Sequence, residues 1–105
     1  MTEVVLILTT VPDDDRGETL AQTLVTERLA ACVNVLGPMT SIYRWQGAVE
    51  REFERQLVVK TTRDRIEAVR RRIAQLHSYE LPELIVLDVV DGSLGYLDWV
   101  KAETR

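Results

Sequence analysis

The sequence predicts an α+β fold: a ferredoxin-like β-α-β-β-α-β sandwich with a long hairpin between its second and third strands and a short C-terminal helix. Three observations lead there. Val4 to Val11 (VVLILTTV) and Leu84 to Val90 (LIVLDVV) are short, β-branched apolar runs of the kind that fill buried strands. Between them, two stretches of helical spacing flank one long extended stretch that folds back at Gln46 and Gly47. With 105 residues, 46% hydrophobic and 29% charged, the chain has material for one packed core and not for two, so residues 1–105 read as a single domain.

Each element has its own signal. Pro12 followed by Asp13, Asp14 and Asp15 reads as a helix start, because proline suits a first turn and carboxylates suit the positive end of the helix dipole. Leu20, Leu24, Val25 and Leu29 continue at near-helical spacing, giving a first helix over about 14–31. Val33 to Trp45 (VNVLGPMTSIYRW) returns to strand, with Gly37 and Pro38 marking a bend or bulge. Beyond the tight turn, Val49, Phe53, Leu57 and Val59 alternate onto one face of an extended run from Ala48 to Thr61. The charged tip, WQGAVEREFER, is too long for two helices of this size to cover, and is expected to project toward another subunit.

The second helix is the clearest. Asp64 and Glu67 offer a capping pair, and Ile66, Val69, Ile73 and Leu76 follow at steps of three, four and three. Arg65, Arg70, Arg71 and Arg72 on the opposite side read as a solvated basic face. Asp91, Gly92 and Ser93 form a turn and cap before a C-terminal helix from about Leu94 to Lys101.

Composition narrows the partners. A formal net charge of −4 gives no general attraction to phosphate backbones, so nucleic acid is not expected. The opening MTEVVLILTTVPDDD has no basic leader and no membrane-length apolar run, and the expected location is cytoplasmic. Cys32 is the single cysteine, which excludes an internal disulfide and fits a reducing compartment.

Metal binding needs several donors converging on one ion, and this chain has one thiol and one imidazole, Cys32 and His77. The ordinary reading of Cys32, after Leu-Ala-Ala, is a small core residue, and that of His77 is a helix-end side chain bonding a carbonyl or meeting the dipole. A Cys/His nucleophilic pair lacks a visible third group to orient its base. Glu50, Glu52 and Glu54 share one strand face and have the chemistry for a hard cation, although solvation and edge protection account for them. Tyr43 and Trp45 share a face near the turn, and Tyr79, Tyr96 and Trp99 come late, as residues that line a pocket or an interface. Lys60, between Val59 and Thr61, needs a partner if buried, and Glu83 or a carboxylate of another chain is the expected one.

Six segments taken together resemble the CutA1 divalent-cation tolerance family: TTVPDD (9–14), ERLAACVNV (27–35), SIYRWQG (41–47), VVKTT (58–62), LHSYELPE (76–83) and YLDWV (96–100). They stand in the family's order and span nearly the whole chain. The resemblance implies a ferredoxin-like protomer, a tight homotrimer engaged through the long hairpin, a likeness to the PII signalling trimers, and a link to copper and other divalent cations. It does not imply an enzyme. Carried over by motif, Cys32, Tyr43, Trp45, Lys60 and Tyr79 line an intersubunit cleft, with His77 and Glu83 as the metal candidates. The family often has proline at the position of Ser78, and some members have cysteine at that of Thr9 or a second histidine at that of Leu76. Without those soft donors, a copper or zinc site here is expected to be weak and built from His77 and carboxylates, with help from another subunit. The alternative is a PII-like sensor that binds a small molecule in the cleft around Lys60, Trp45 and Tyr79.

Overall fold

The structure, a computed structural model, describes residues 2–105. Its elements are β1 (Val4–Pro12), α1 (Arg16–Thr26), β2 (Cys32–Trp45), β3 (Ala48–Thr62), α2 (Ile66–Leu76), β4 (Ile85–Asp88) and α3 (Leu94–Glu103), with a 3-10 turn at Arg63–Arg65 leading into α2. The sheet order is β2-β3-β1-β4 with every neighbouring pair antiparallel, the ferredoxin-like arrangement that the sequence predicts.

Register decides which residues meet the helices. Ile7 stands opposite Val59 on one side and Val86 on the other, so Val5, Ile7 and Val11 join Leu57 and Val59 on the face that α1 and α2 cover. Leu20 and Leu24 of α1 and Val69 and Ile73 of α2 close this core. A smaller cluster, Val4 and Ala31 with Leu97 and Val100, seats α3 separately.

Local chemistry moved several boundaries. Pro12 ends β1 opposite Glu54 instead of opening a helix, and the backbone N–H of Arg16 finds the Asp14 carboxylate at 3.0 Å. α1 stops at Thr26, short of the expected Ala31, because Arg28 turns left-handed at φ 61°. Leu29 N–H then bonds the Leu24 carbonyl and Arg28 N–H the Val25 carbonyl, the two bonds of a Schellman motif. Asp64 caps no helix: it lies within the 3-10 turn, and its carboxylate accepts the Thr62 hydroxyl at 2.5 Å. Ser93 makes no side-chain cap either. β4 holds four residues where seven were expected, so Val90 is left exposed. The basic face of α2 is largely paired: Arg72 with Glu27, Arg70 with Glu67, and Arg65 with the Thr104 carbonyl.

The hairpin behaves as expected at its turn. Gln46 and Gly47 both take positive φ, 49° and 82°, as a two-residue turn of the right twist requires. Gly37 and Pro38 together face Arg55 between Leu36 and Met39, one residue more on β2 than on β3. A side chain at Gly37 would meet Arg55 Cγ at 3.0 Å, so the bulge needs glycine.

One core position is unbalanced. Thr9 is fully buried, and its hydroxyl has no hydrogen-bond partner among the described residues. Valine has the same shape without the desolvated hydroxyl, so Thr9→Val is expected to stabilise the fold by about 1 kcal/mol. Urea unfolding checks this, and a loss of stability in the variant would mean that the hydroxyl is satisfied.

Candidate functional site

The side of the sheet away from α1 and α2 carries the candidate residues. β3 presents Glu50, Glu52, Glu54, Gln56 and Lys60 there, and β1 presents Leu6, Leu8 and Thr10. The bulge at Gly37 and Pro38 resets the alternation of β2, which brings Cys32, opposite Lys60, onto the same side as Tyr43, opposite Glu50, and Trp45, opposite Ala48.

The LHSYELPE segment folds against this face where β1 lacks a neighbour. β4 pairs with β1 only from Val5 to Leu8, leaving the carbonyl of Thr10 on an open edge past its end. His77, the C-cap of α2, brings Nε2 to 2.6 Å from the Thr10 carbonyl, and Gln56 Nε2 donates to the Thr9 carbonyl at 2.8 Å. The same Gln56 nitrogen donates to Glu83 Oε2 at 3.0 Å. Tyr79 N–H donates to His77 Nδ1 at 3.1 Å, and the Tyr79 hydroxyl to Glu54 Oε2 at 2.7 Å. A carbonyl can only accept and an N–H only donate, so the neutral His77 ring carries its proton on Nε2, and both ring nitrogens are engaged.

The electrostatics fit a fixed donor. Burial first, and the Glu54 hydrogen bond second, push the Tyr79 phenol well above its ordinary 10.0. Glu54 is 6% exposed, and the Tyr79 hydroxyl is its side-chain donor. Tyr43 is also raised, by partial desolvation and then by Glu52, Glu50 and Glu54.

The predicted residues thus fall into separate groups. His77, Tyr79 and Glu83 come together, joined by Glu54 and Gln56, which sequence reasoning had not assigned to the site. Lys60 and Cys32 stand four positions further along β1, about 13 Å at strand rise. The expected Lys60–Glu83 pair is not made: Glu83 holds Gln56, and the Lys60 ammonium lies 5.7 Å from the centre of the Tyr96 ring. Trp45 lies at the hairpin turn, beyond the end of β1. No group of three or more His, Cys, Asp or Glu side chains is arranged to hold a metal among the described residues.

Fold and site together define a small α+β protein with a hydrogen-bonded polar cluster on the sheet face away from α1 and α2. The sequence profile of the CutA1 divalent ion tolerance protein family matches residues 5–103, and the chain belongs to that family. It is 47% identical over 104 residues to the divalent-cation tolerance protein CutA of Thermus thermophilus, covering 99% of both chains. The crystal structure of CutA from Xylella fastidiosa is 42% identical with a TM-score of 0.96, over 99% of this chain and 100% of that one. The PII-like protein CutA from Nostoc, in its apo form, is 42% identical with a TM-score of 0.90, over 96% and 97%. Some plant relatives carry names that locate them in the chloroplast. Among the described residues, no helix is long and apolar enough to cross a membrane.

Tyr79 gives a pH test. A raised phenol contributes stability that is fully present below the unfolded value near 10.0 and is lost as pH rises through the folded value. Tyr79→Phe is expected to cost about 2 kcal/mol at neutral pH, the scale of a hydrogen bond to a charged group. Urea midpoints taken from about pH 8 to 11 should fall more steeply for the wild type than for the variant, and parallel curves would remove the Tyr79–Glu54 bond from the account.

Proposed function

We propose that the chain contributes to divalent-cation tolerance as a cytoplasmic homotrimer, without enzymatic activity, and takes a divalent cation weakly beside His77 and Glu83 in an intersubunit cleft. The observation that carries this reading is the bare hairpin. Ile42, Val49 and Phe53, 69%, 67% and 60% exposed, lie beyond the reach of α1 and α2 on a chain whose family is named for ion tolerance. Apolar surface of this kind calls for a partner, and other copies of the same chain supply it. Cys32, Tyr43, Trp45, Lys60 and Tyr79 line the resulting cleft. A lone, free Cys32 supports the reducing compartment.

Weak binding follows from the state of His77. A copper or zinc ion takes a ring nitrogen only if the Tyr79 N–H or the Thr10 carbonyl gives up its bond, and one such bond is worth roughly tenfold in affinity. Titration calorimetry with Cu(II) and Zn(II) should show weak heats for the wild type that vanish in His77→Ala and fall in Glu83→Gln. Equal, negligible heats in wild type and variants contradict metal binding at this site.

A second reading is a PII-like sensor that binds a small molecule in the same cleft. It is favoured by the occupied ring nitrogens of His77 and by Lys60, which has no carboxylate within 4.0 Å among the described residues. A thermal-shift screen of nucleotides and metabolites should then yield a stabilising ligand whose effect is lost in Lys60→Ala. No shift across a broad screen removes this reading.

A further inference from the structure

Arg28 sits in a left-handed conformation, φ 61°, where glycine is ordinarily preferred. The Schellman motif at the end of α1 explains the conformation but not the residue, since glycine would satisfy it at lower conformational cost. What glycine lacks is a side chain that reaches α3. Arg28 Nε donates to the Arg105 carbonyl at 2.5 Å and Nη2 to the Ala102 carbonyl at 3.0 Å, with the Glu103 carboxylate at 3.8 Å. A second arginine does the same from the other side: Arg65, in the turn before α2, donates through Nε to the Thr104 carbonyl at 2.7 Å. Carbonyls at the end of a helix have no partner within it, and here guanidinium groups from two other elements hold them.

The rest of α3 is lightly attached. Its buried residues, Leu97 and Val100, belong to the small cluster with Val4 and Ala31 and to none of the core beneath α1 and α2. Leu94 and Trp99 are exposed, and Tyr96 stands over the Lys60 ammonium. Segments with few buried contacts open independently of the global fold.

We propose that α3 is a lid over the Lys60 end of the open sheet face, that it opens as a unit, and that Arg28 and Arg65 hold it shut. The proposal rests on the fold alone, so its failure leaves the cation and sensor readings standing. Opening removes Tyr96 from Lys60 and uncovers Val4 and Ala31, while the sheet and the main core stay formed. Arg28 keeps its strained position because one residue both ends α1 and latches α3.

Hydrogen exchange by mass spectrometry, with lysine acetylation mapped in parallel, tests this on the full chain at fixed concentration. The chain has two lysines, Lys60 and Lys101, so Lys101 serves as the internal reference. Arg28→Gly suits the left-handed backbone and removes only the side chain. Amides of residues 94–103 should exchange roughly tenfold faster in that variant, and faster again with Arg65→Ala added, while β1 and β3 stay protected. Lys60 should be acetylated faster relative to Lys101. Unchanged α3 exchange in the double variant overturns the latch. A rise in step with β1 and β3 overturns independent opening, and faster α3 exchange with no change at Lys60 overturns the covering role.

Discussion

The mismatch in strand length around β1 governs the molecule. β1 has nine residues, its partner β3 has fifteen, and its other partner β4 has four. Pairing with β3 runs from Val4 opposite Thr62 to Pro12 opposite Glu54, so Ala48 to Phe53 continue, with β2, about 20 Å beyond the sheet. Pairing with β4 stops at Leu8, so the far half of β1 has β3 on one side and no strand on the other. Backbone groups left in that position need partners from elsewhere. The short side makes the polar cluster necessary, and the long side leaves the hairpin bare.

The cluster is therefore structural before it is anything else. His77 completes the edge of β1, Gln56 adds a second donor to the Thr9 carbonyl, and Tyr79 and Glu83 are fixed to them by single hydrogen bonds. A group that enters must replace bonds already made, which sets a threshold for any ligand of this face. A soft cation asks the most, because it needs an imidazole nitrogen. A ligand that bonds Glu83 or Lys60 from outside asks less.

The helix and strand order was legible in the sequence because apolar spacing is a local property: Val69 and Ile73 mark α2, and Leu57 and Val59 mark β3, whatever lies around them. Termini were less legible. Asp64 and Ser93 carry cap chemistry, yet Asp64 falls inside the 3-10 turn and is taken by the Thr62 hydroxyl, and the Ser93 side chain makes no cap bond. Arg28 ends α1 early although nothing marks an arginine as a left-handed residue; its reason lies 74 residues away, in α3. At the site, His77, Tyr79 and Glu83 were found through their motif, whereas Glu54 and Gln56 read as ordinary members of a charged strand. Their alternation with Glu50 and Glu52 was visible, but only the register with β1 identifies which of them sits under the loop. Tyr43 and Cys32 share a face because the bulge gives β2 one residue more than β3 between them, and parity counted along the sequence sets them on opposite sides.

The proposed assembly follows from the long side of the mismatch. Val49 and Phe53 continue the apolar row of Leu57 and Val59 past the last turn of either helix, with Arg51 over the Phe53 ring. A monomer would keep that row in water, at a cost that other copies of the chain remove. Light scattering on the eluting protein at micromolar concentration is the direct test. The account predicts one species at three times the 12.0 kDa chain mass, dissociating when Phe53 is replaced by glutamate. A wild-type protein that elutes at the mass of one chain contradicts it.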